Sequence, residues 1–140
     1  MNKNPILIVE DDEDDSVILV NALKNLGVKN TLMCFESAIS ALKYLQATSE
    51  KTFLIISDIN MPAMNGLDFK RFINNDRSLQ AKNIPFIFLT TSADNNIVMQ
   101  ASGLSIQGYF QKPDNMNSMN EIARSIFSYW NQNILSNLPN

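Results

Sequence analysis

Short apolar runs alternate with apolar stripes of helical period along the chain. PILIV (5–9) is continuous and β-branched, the pattern of a strand buried on both faces. Between about 13 and 26, Val17, Leu19, Val20, Leu23 and Leu26 recur at helical spacing, with Gly27 as the stop. TLMCF (31–35) predicts a second strand. Ser37 then caps a helix over 38–46 with Ala38, Ala41, Leu42 and Leu45 facing inward. FLIIS (53–57) is a third buried strand, and NMPAMNG (60–66) is a loop by its Pro, Asn and Gly. A helix with Leu67, Phe69, Phe72 and Ile73 follows. DRSLQAKN (76–83) is polar and reads as a surface loop, and IPFIFLT (84–90) as the fourth strand. The stretch from Asn95 to about Ser102 predicts a helix. GYFQ (108–111) predicts a fifth strand, ended by Lys112-Pro113. Ser118 and Glu121 form an S-x-x-E capping box. It opens a last helix from about 119 to the low 130s, carrying Ile122, Ala123, Ile126, Phe127 and Trp130.

Five strands alternating with five helices predict one α/β domain over 1–140, a doubly wound parallel sheet with helices on both faces. Ligands in such sheets bind beyond the carboxyl ends of the strands, where the strand order reverses. Strand one ends in Glu10-Asp11, strand three in Asp58, strand four in Thr90-Thr91, and strand five just before Lys112. Four of five strands therefore deliver a polar or charged group to one edge.

Glu10 and Asp11 open a run of six acids, EDDEDD, before Ser16. Acids in a first helical turn are favoured by the helix dipole, and this accounts for Asp12 to Asp15 as helix entry and surface charge. Glu10, Asp11 and Asp58 ask for more. Three carboxylates in one crevice repel and raise one another's pKa values. A divalent cation reverses that logic, and with Lys112 it would neutralise all three. Magnesium takes oxygen ligands and keeps several waters, leaving room for a phosphate oxygen. An EF-hand loop beginning at Asp11 fails, because Ser16 stands where Gly is needed and Ala22 where Glu is needed.

Composition narrows the classes. The chain has 140 residues, 45% apolar and 18% charged, which suits a compact globule. The net charge is −3 and Lys and Arg are scattered, so no nucleic-acid partner is expected. There is no histidine, which removes histidine triads, histidine metal sites and any phosphohistidine on this chain. Cys34 is the single cysteine, so no intrachain disulfide forms. The N-terminal apolar run is too short for a signal peptide, and no run approaches the ~20 residues of a membrane helix. A soluble, cytoplasmic protein without a membrane partner is the expectation.

Taken together, ILIVEDD (6–12), IISDINMPAMNG (55–66), PFIFLTTS (85–92) and GYFQKP (108–113) resemble the receiver domain of two-component response regulators, related to the bacterial chemotaxis receiver. The motifs span nearly the whole chain in order, with 47 residues from Asp11 to Asp58, 32 to Thr90 and 22 to Lys112. The polar insert before strand four and SYW (128–130) are most similar to small stand-alone receivers that partner phytochrome-type and hybrid histidine kinases. The resemblance implies a flavodoxin-like (βα)5 fold with strand order 2-1-3-4-5. It implies that Asp58 accepts a phosphoryl group from a phosphohistidine on a sensor histidine kinase or histidine phosphotransfer protein. Asp11, Asp58 and the backbone carbonyl of Asn60 would bind Mg²⁺, with Mn²⁺ or Ca²⁺ as substitutes, and Glu10 would hold metal-bound water. Lys112 would pair with the acids and then the phosphoryl oxygens, and Pro113 would fix its loop, in the family by a cis peptide bond. Thr90 and Tyr109 would switch, and Asn60 and Ser92 would tune the phosphate lifetime.

The family commonly has Gly-Ala before strand five; here Ser105 and Ile106 hold that place, and Gly103 lies six residues before Tyr109. The fourth helix is therefore expected to end early. Phe127, Tyr129, Trp130, Ile134, Leu135 and Leu138 serve either as core plus a frayed tail or as a partner surface. As a surface they would join the fourth helix and fifth strand, where a homodimer or an unidentified downstream protein would dock. Only about ten residues follow the last helix, so no output domain is expected. The chain is expected to act as a switch that phosphorylates and dephosphorylates itself, not as a turnover enzyme. The alternatives are a receiver-like interaction module that takes no phosphate and a haloacid-type aspartyl-phosphate phosphatase. The phosphatase wants an acid two residues after the nucleophile, where this chain has Asn60. An FMN carrier needs a phosphate cradle after strand one, where this chain has acids.

Overall fold

The computed structural model describes residues 4–132, with the backbone alone for 129–132. Among them, β1 (Ile6–Val9), β2 (Leu32–Phe35), β3 (Leu54–Ser57), β4 (Phe86–Thr90) and β5 (Gly108–Gln111) form one parallel sheet in the order β2-β1-β3-β4-β5. This is the order the resemblance implies. The chain leaves β1 on one side to make β2 and returns on the other side to make β3. The reversal therefore lies between β1 and β3.

The apolar runs explain which strands are central. Every residue of β1, β3 and β4 is buried, whereas β2 and β5 are partly open edges. Alternation along each strand splits the core into two layers. Leu7, Val9, Ile55, Phe86 and Phe88 face α2 (Ala38–Ala47), α3 (Gly66–Asn75) and α5 (Asn95–Ser102). Ile6, Ile8, Leu54, Ile56, Ile87 and Leu89 face α1 (Glu13–Asn25) and α6 (Met116–Gln132). Helix α2 buries Ala38, Ala41, Leu42 and Leu45 and is capped by Ser37, as its spacing predicts. Val17 of α1 and Phe72 of α3, both on the predicted stripes, are instead 50% and 40% exposed.

Three local expectations are corrected. Residues 76–83 are not simply a loop: Asp76 accepts bonds from the Ser78 and Leu79 amides and starts a short helix, α4 (Arg77–Gln80). The one buried residue of that stretch, Leu79, anchors it in the core at 1% exposure. The last helix begins earlier than the Ser118 box, because Asn115 accepts a bond from the Ser118 amide at 2.9 Å and acts as the cap. Lys112-Pro113 is a trans peptide bond, the form X–Pro bonds favour by a small margin. Helix α5 does end at Ser102, followed by Gly103, and Ser105 takes a left-handed φ of 60° where the family favours Gly. Phe127 packs on the α1–α6 layer, 6.3 Å from the Phe53 ring. The side chains of Tyr129 and Trp130, and Ile134, Leu135 and Leu138, lie outside the described residues. No helix among the described residues is long and apolar enough to cross a membrane.

Candidate functional site

At the carboxyl end of β1 the chain stops being apolar at Glu10 and enters α1 at Glu13. Asp12 is the N-cap: its carboxylate accepts a bond from the Asp15 amide at 3.1 Å. Glu10 folds back so that Oε2 accepts the Asp12 amide at 3.1 Å, which fixes the Glu10 carboxylate over the sheet edge. At the end of β3, Asp58 accepts a bond from the Ile59 amide at 2.7 Å and is 7% exposed. Gly66 begins α3 directly behind this loop and donates its amide to Ile59 at 2.8 Å. A Cβ at Gly66 would overlap the Asp58 carbonyl, so only glycine permits this approach.

Glu10, Asp11 and Asp58 each present a carboxylate oxygen within 4.8 Å of the others, with Asp11 on the solvent side. Lys112, just past β5, is positioned by the hydrogen bond its backbone N–H donates to the Thr90 carbonyl at 2.8 Å. Its ammonium lies 2.5 Å from Glu10, 2.8 Å from Asp15 and 3.1 Å from Asp58. Burial pushes Glu10 up to about 7 despite the Lys112 hydrogen bond, and the nearby Asp58 charge adds to the rise. For Lys112, burial pulls the ammonium's pKa down, but its bonds to Asp15 and Glu10 and the Asp58 charge outweigh it, leaving a net rise above the ordinary lysine value.

The structure thus brings Glu10, Asp11, Asp58 and Lys112 together from three strand ends. Thr90 is fully buried at the end of β4, and its hydroxyl oxygen accepts the Ser92 amide at 3.3 Å. Tyr109 donates its hydroxyl to the Ser92 carbonyl at 2.7 Å and packs edge-on to Phe88. Burial raises the Tyr109 pKa despite that bond. Asn60 is exposed in the loop beyond Asp58. No hydrogen bond ties Asn60, Thr90, Ser92 or Tyr109 to the carboxylates among the described residues.

Sequence reasoning missed two participants. Asp15 reads as surface charge, yet it reaches back from the first turn of α1 to Lys112. The available signal is its spacing, one helical turn beyond Asp11. Gly66 reads as a loop residue, and its close approach to Asp58 is visible only in three dimensions.

The donor set suits a hard dication. Three carboxylate oxygens converge, one of them on the open side, and the acids already gather around a cation, the Lys112 ammonium. Comparison with known proteins agrees with the fold. The chain is 28% identical to response regulator Rcp1 of Synechocystis sp. over 130 residues, 89% of this chain and 87% of that protein. It is 32% identical to chemotaxis protein CheY-3 of Vibrio cholerae over 129 residues, 91% and 95% of the two chains. The Mn²⁺-bound structure of Rcp1 superposes with a TM-score of 0.83 at 27% identity, covering 98% and 99%. The phosphorylated cyanobacterial phytochrome response regulator RcpA gives 0.84 at 25% identity, covering 94% and 96%. Residues 6–124 match the response regulator receiver domain, and the chain belongs to that family.

Proposed function

We propose that this receiver is a phosphorylation switch in which Asp58 takes a phosphoryl group from a phosphohistidine of a sensor histidine kinase or phosphotransfer protein. The observation that carries the reading is the meeting of the Asp58, Glu10 and Asp11 carboxylates within 4.8 Å, with the Lys112 ammonium 3.1 Å from Asp58. An Asp58 carboxylate oxygen attacks phosphorus, the P–N bond breaks with its electron pair returning to the partner's imidazole, and an acyl phosphate forms. Most of the catalytic work is positioning and charge neutralisation. The Ile59 amide and Lys112 hold the Asp58 carboxylate in one orientation. Lys112 is also placed to follow the charge onto the phosphoryl oxygens.

A dication, when bound, offsets the carboxylates' mutual repulsion and the incoming phosphoryl charge. Asp11, Asp58 and the Asn60 carbonyl would hold it, with Glu10 behind a bound water. Mg²⁺ is the resident ion in this reading, and the Mn²⁺ in the Rcp1 structure supports the same class of site. Thr90 would turn to meet the phosphoryl group. That movement breaks its bond to Ser92 and frees the loop on which Tyr109 is anchored. Asn60 and Ser92 border the reacting edge, where they would tune hydrolysis. The protein is a switch in the cytoplasm, not an enzyme acting on an external substrate. Its α5-β5-α6 face carries the signal to a downstream protein or a second copy.

The test is labelling with phosphoramidate and Mg²⁺, read by intact mass. One phosphoryl group is expected on the wild type and none on Asp58→Asn. Equal labelling of the variant would move the acceptor elsewhere.

A further inference from the structure

A second cavity, of about 440 Å³, opens at the opposite end of the sheet, before the first residues of β4 and β5. Helix α3 contributes Lys70 and Asn74, the α4 region Gln80 and Asn83, and the α5–β5 connection Ser105 and Gln107. The size lies in the range of small-molecule sites, and the lining is rich in amides.

Lys70 is the unusual member. It is 6% exposed, yet among the described residues its ammonium has no hydrogen bond and no ion pair. Its ammonium lies over the Phe86 ring, 5.5 Å from Nζ to the centroid. A cation over an aromatic face gains less than burial of an unpaired charge costs. Burial accordingly pushes the Lys70 ammonium below the ordinary lysine range. The neighbouring inward positions of α3, Leu67, Phe69 and Ile73, are apolar, so packing alone calls for an apolar residue at position 70. Among the described residues, no acid lines the cavity to serve as counter-charge. Two lining residues, Asn83 and Ser105, hold left-handed φ values of 49° and 60°. Such backbone strain persists where surrounding structure imposes it, often at ligand sites. The Gln80 amide and the Ser105 hydroxyl have no side-chain hydrogen-bond partner among the described residues, leaving them available to a ligand.

We propose that this cavity binds a small polar anion, with a carboxylate or phosphate group on the Lys70 ammonium and polar groups on the surrounding amides. It lies at the pole of the sheet opposite Asp58 and does not depend on phosphorylation.

The test is a residue-resolved NMR titration of the full chain in metal-free buffer at constant ionic strength. The probes are succinate, inorganic phosphate and, as the neutral control, succinamide. Succinate or phosphate should shift the amides of 70–74, 79–84 and 104–107 saturably, and succinamide should not. Lys70→Gln and Lys70→Met should weaken the midpoint at least fivefold, and Lys70→Arg should keep it within that limit. Should one neutral variant fail to fold, the other carries the comparison. The tighter of the two anions tells carboxylate from phosphate. The proposal fails if neither anion shifts these amides saturably, if shifts appear only near Asp58, if succinamide binds as well as succinate, if Lys70→Arg weakens the midpoint fivefold or more, or if the neutral variants bind within fivefold of the wild type.

Discussion

Two lysines lie buried at opposite ends of the same sheet, and their environments differ in one respect. Lys112 has a side chain 9% exposed and is surrounded by Glu10, Asp15 and Asp58. Lys70 is 6% exposed and faces amides and a phenylalanine ring. Burial pulls both ammonium pKa values down, but the acids reverse this for Lys112 and nothing reverses it for Lys70. Pairing, and not depth, decides whether a buried charge holds its proton. At one end the cation has more acids than it can neutralise, so there is room for a second cation. At the other the cation is alone, so there is room for an anion.

The comparison is tested most severely by removing the paired lysine. Lys112→Met leaves Glu10 and Asp58 buried without a counter-charge. Metal-free, at pH 8, the variant should lose about 3 kcal/mol of stability in chemical denaturation, the scale for breaking a buried pair. Mg²⁺ should then restore more stability to the variant than it adds to the wild type, because the dication replaces the missing charge. A variant as stable as the wild type without metal would mean that water already screens the acids.

Glu10 sharpens the same end of the comparison. Its folded pKa of about 7 lies above the ordinary 4.5. The folded state therefore binds the proton more tightly than the unfolded chain. The associated stability is full below pH 4.5 and is lost as pH rises through 7. Between pH 5 and 8 the metal-free wild type should lose about 2 kcal/mol relative to Glu10→Gln. Saturating Mg²⁺ should flatten the difference, since a dication favours the ionised carboxylate. Parallel pH curves without metal would assign the slope to other groups.

These two ends were not equally legible in the sequence. The apolar runs of β1, β3 and β4 are long, continuous and punctuated by Pro, Gly and acids, so both the strands and what lies at their ends could be read directly. Glu10, Asp11 and Asp58 were visible because they follow such runs, and Lys112 because Lys-Pro ends the shorter GYFQ strand. Asp15 was hidden because a helix start explains any acid there equally well, and only the reach to Lys112 separates it from Asp14. Helix α4 was hidden because one buried leucine and a capping aspartate make it, too little for a period to show. Asn115 displaced the expected Ser118 cap because the two candidate caps lie only three residues apart and local propensity cannot rank them. The Lys70 cavity was illegible for a different reason. A lysine in an amphipathic helix is read as solvent-facing, and only the packing of α3 against Phe86 turns it inward.

The smallest expected effect tests the unpaired end. The depressed pKa of Lys70 means that the unfolded chain holds this proton more tightly than the folded one. The stability tied to it is present above the ordinary lysine pKa of 10.5 and is lost as pH falls through the folded value. At pH 7 the wild type therefore carries the cost of an unpaired ammonium that Lys70→Met does not. The variant should be more stable by about 1 kcal/mol, since methionine fills the same volume over the Phe86 ring. The gap should narrow as the pH approaches 10. Tyr109 and Lys112 are both raised above their ordinary values, and as they are common to both proteins they cancel in the difference. Denaturation in phosphate or succinate should narrow the gap at pH 7 as well, because an anion on Lys70 stabilises the wild type alone. A wild type already as stable as the variant in chloride would show that the ammonium reaches water through the cavity mouth. The two lysines would then differ in exposure after all, and the contrast between the ends of the sheet would be one of solvent access and not of charge.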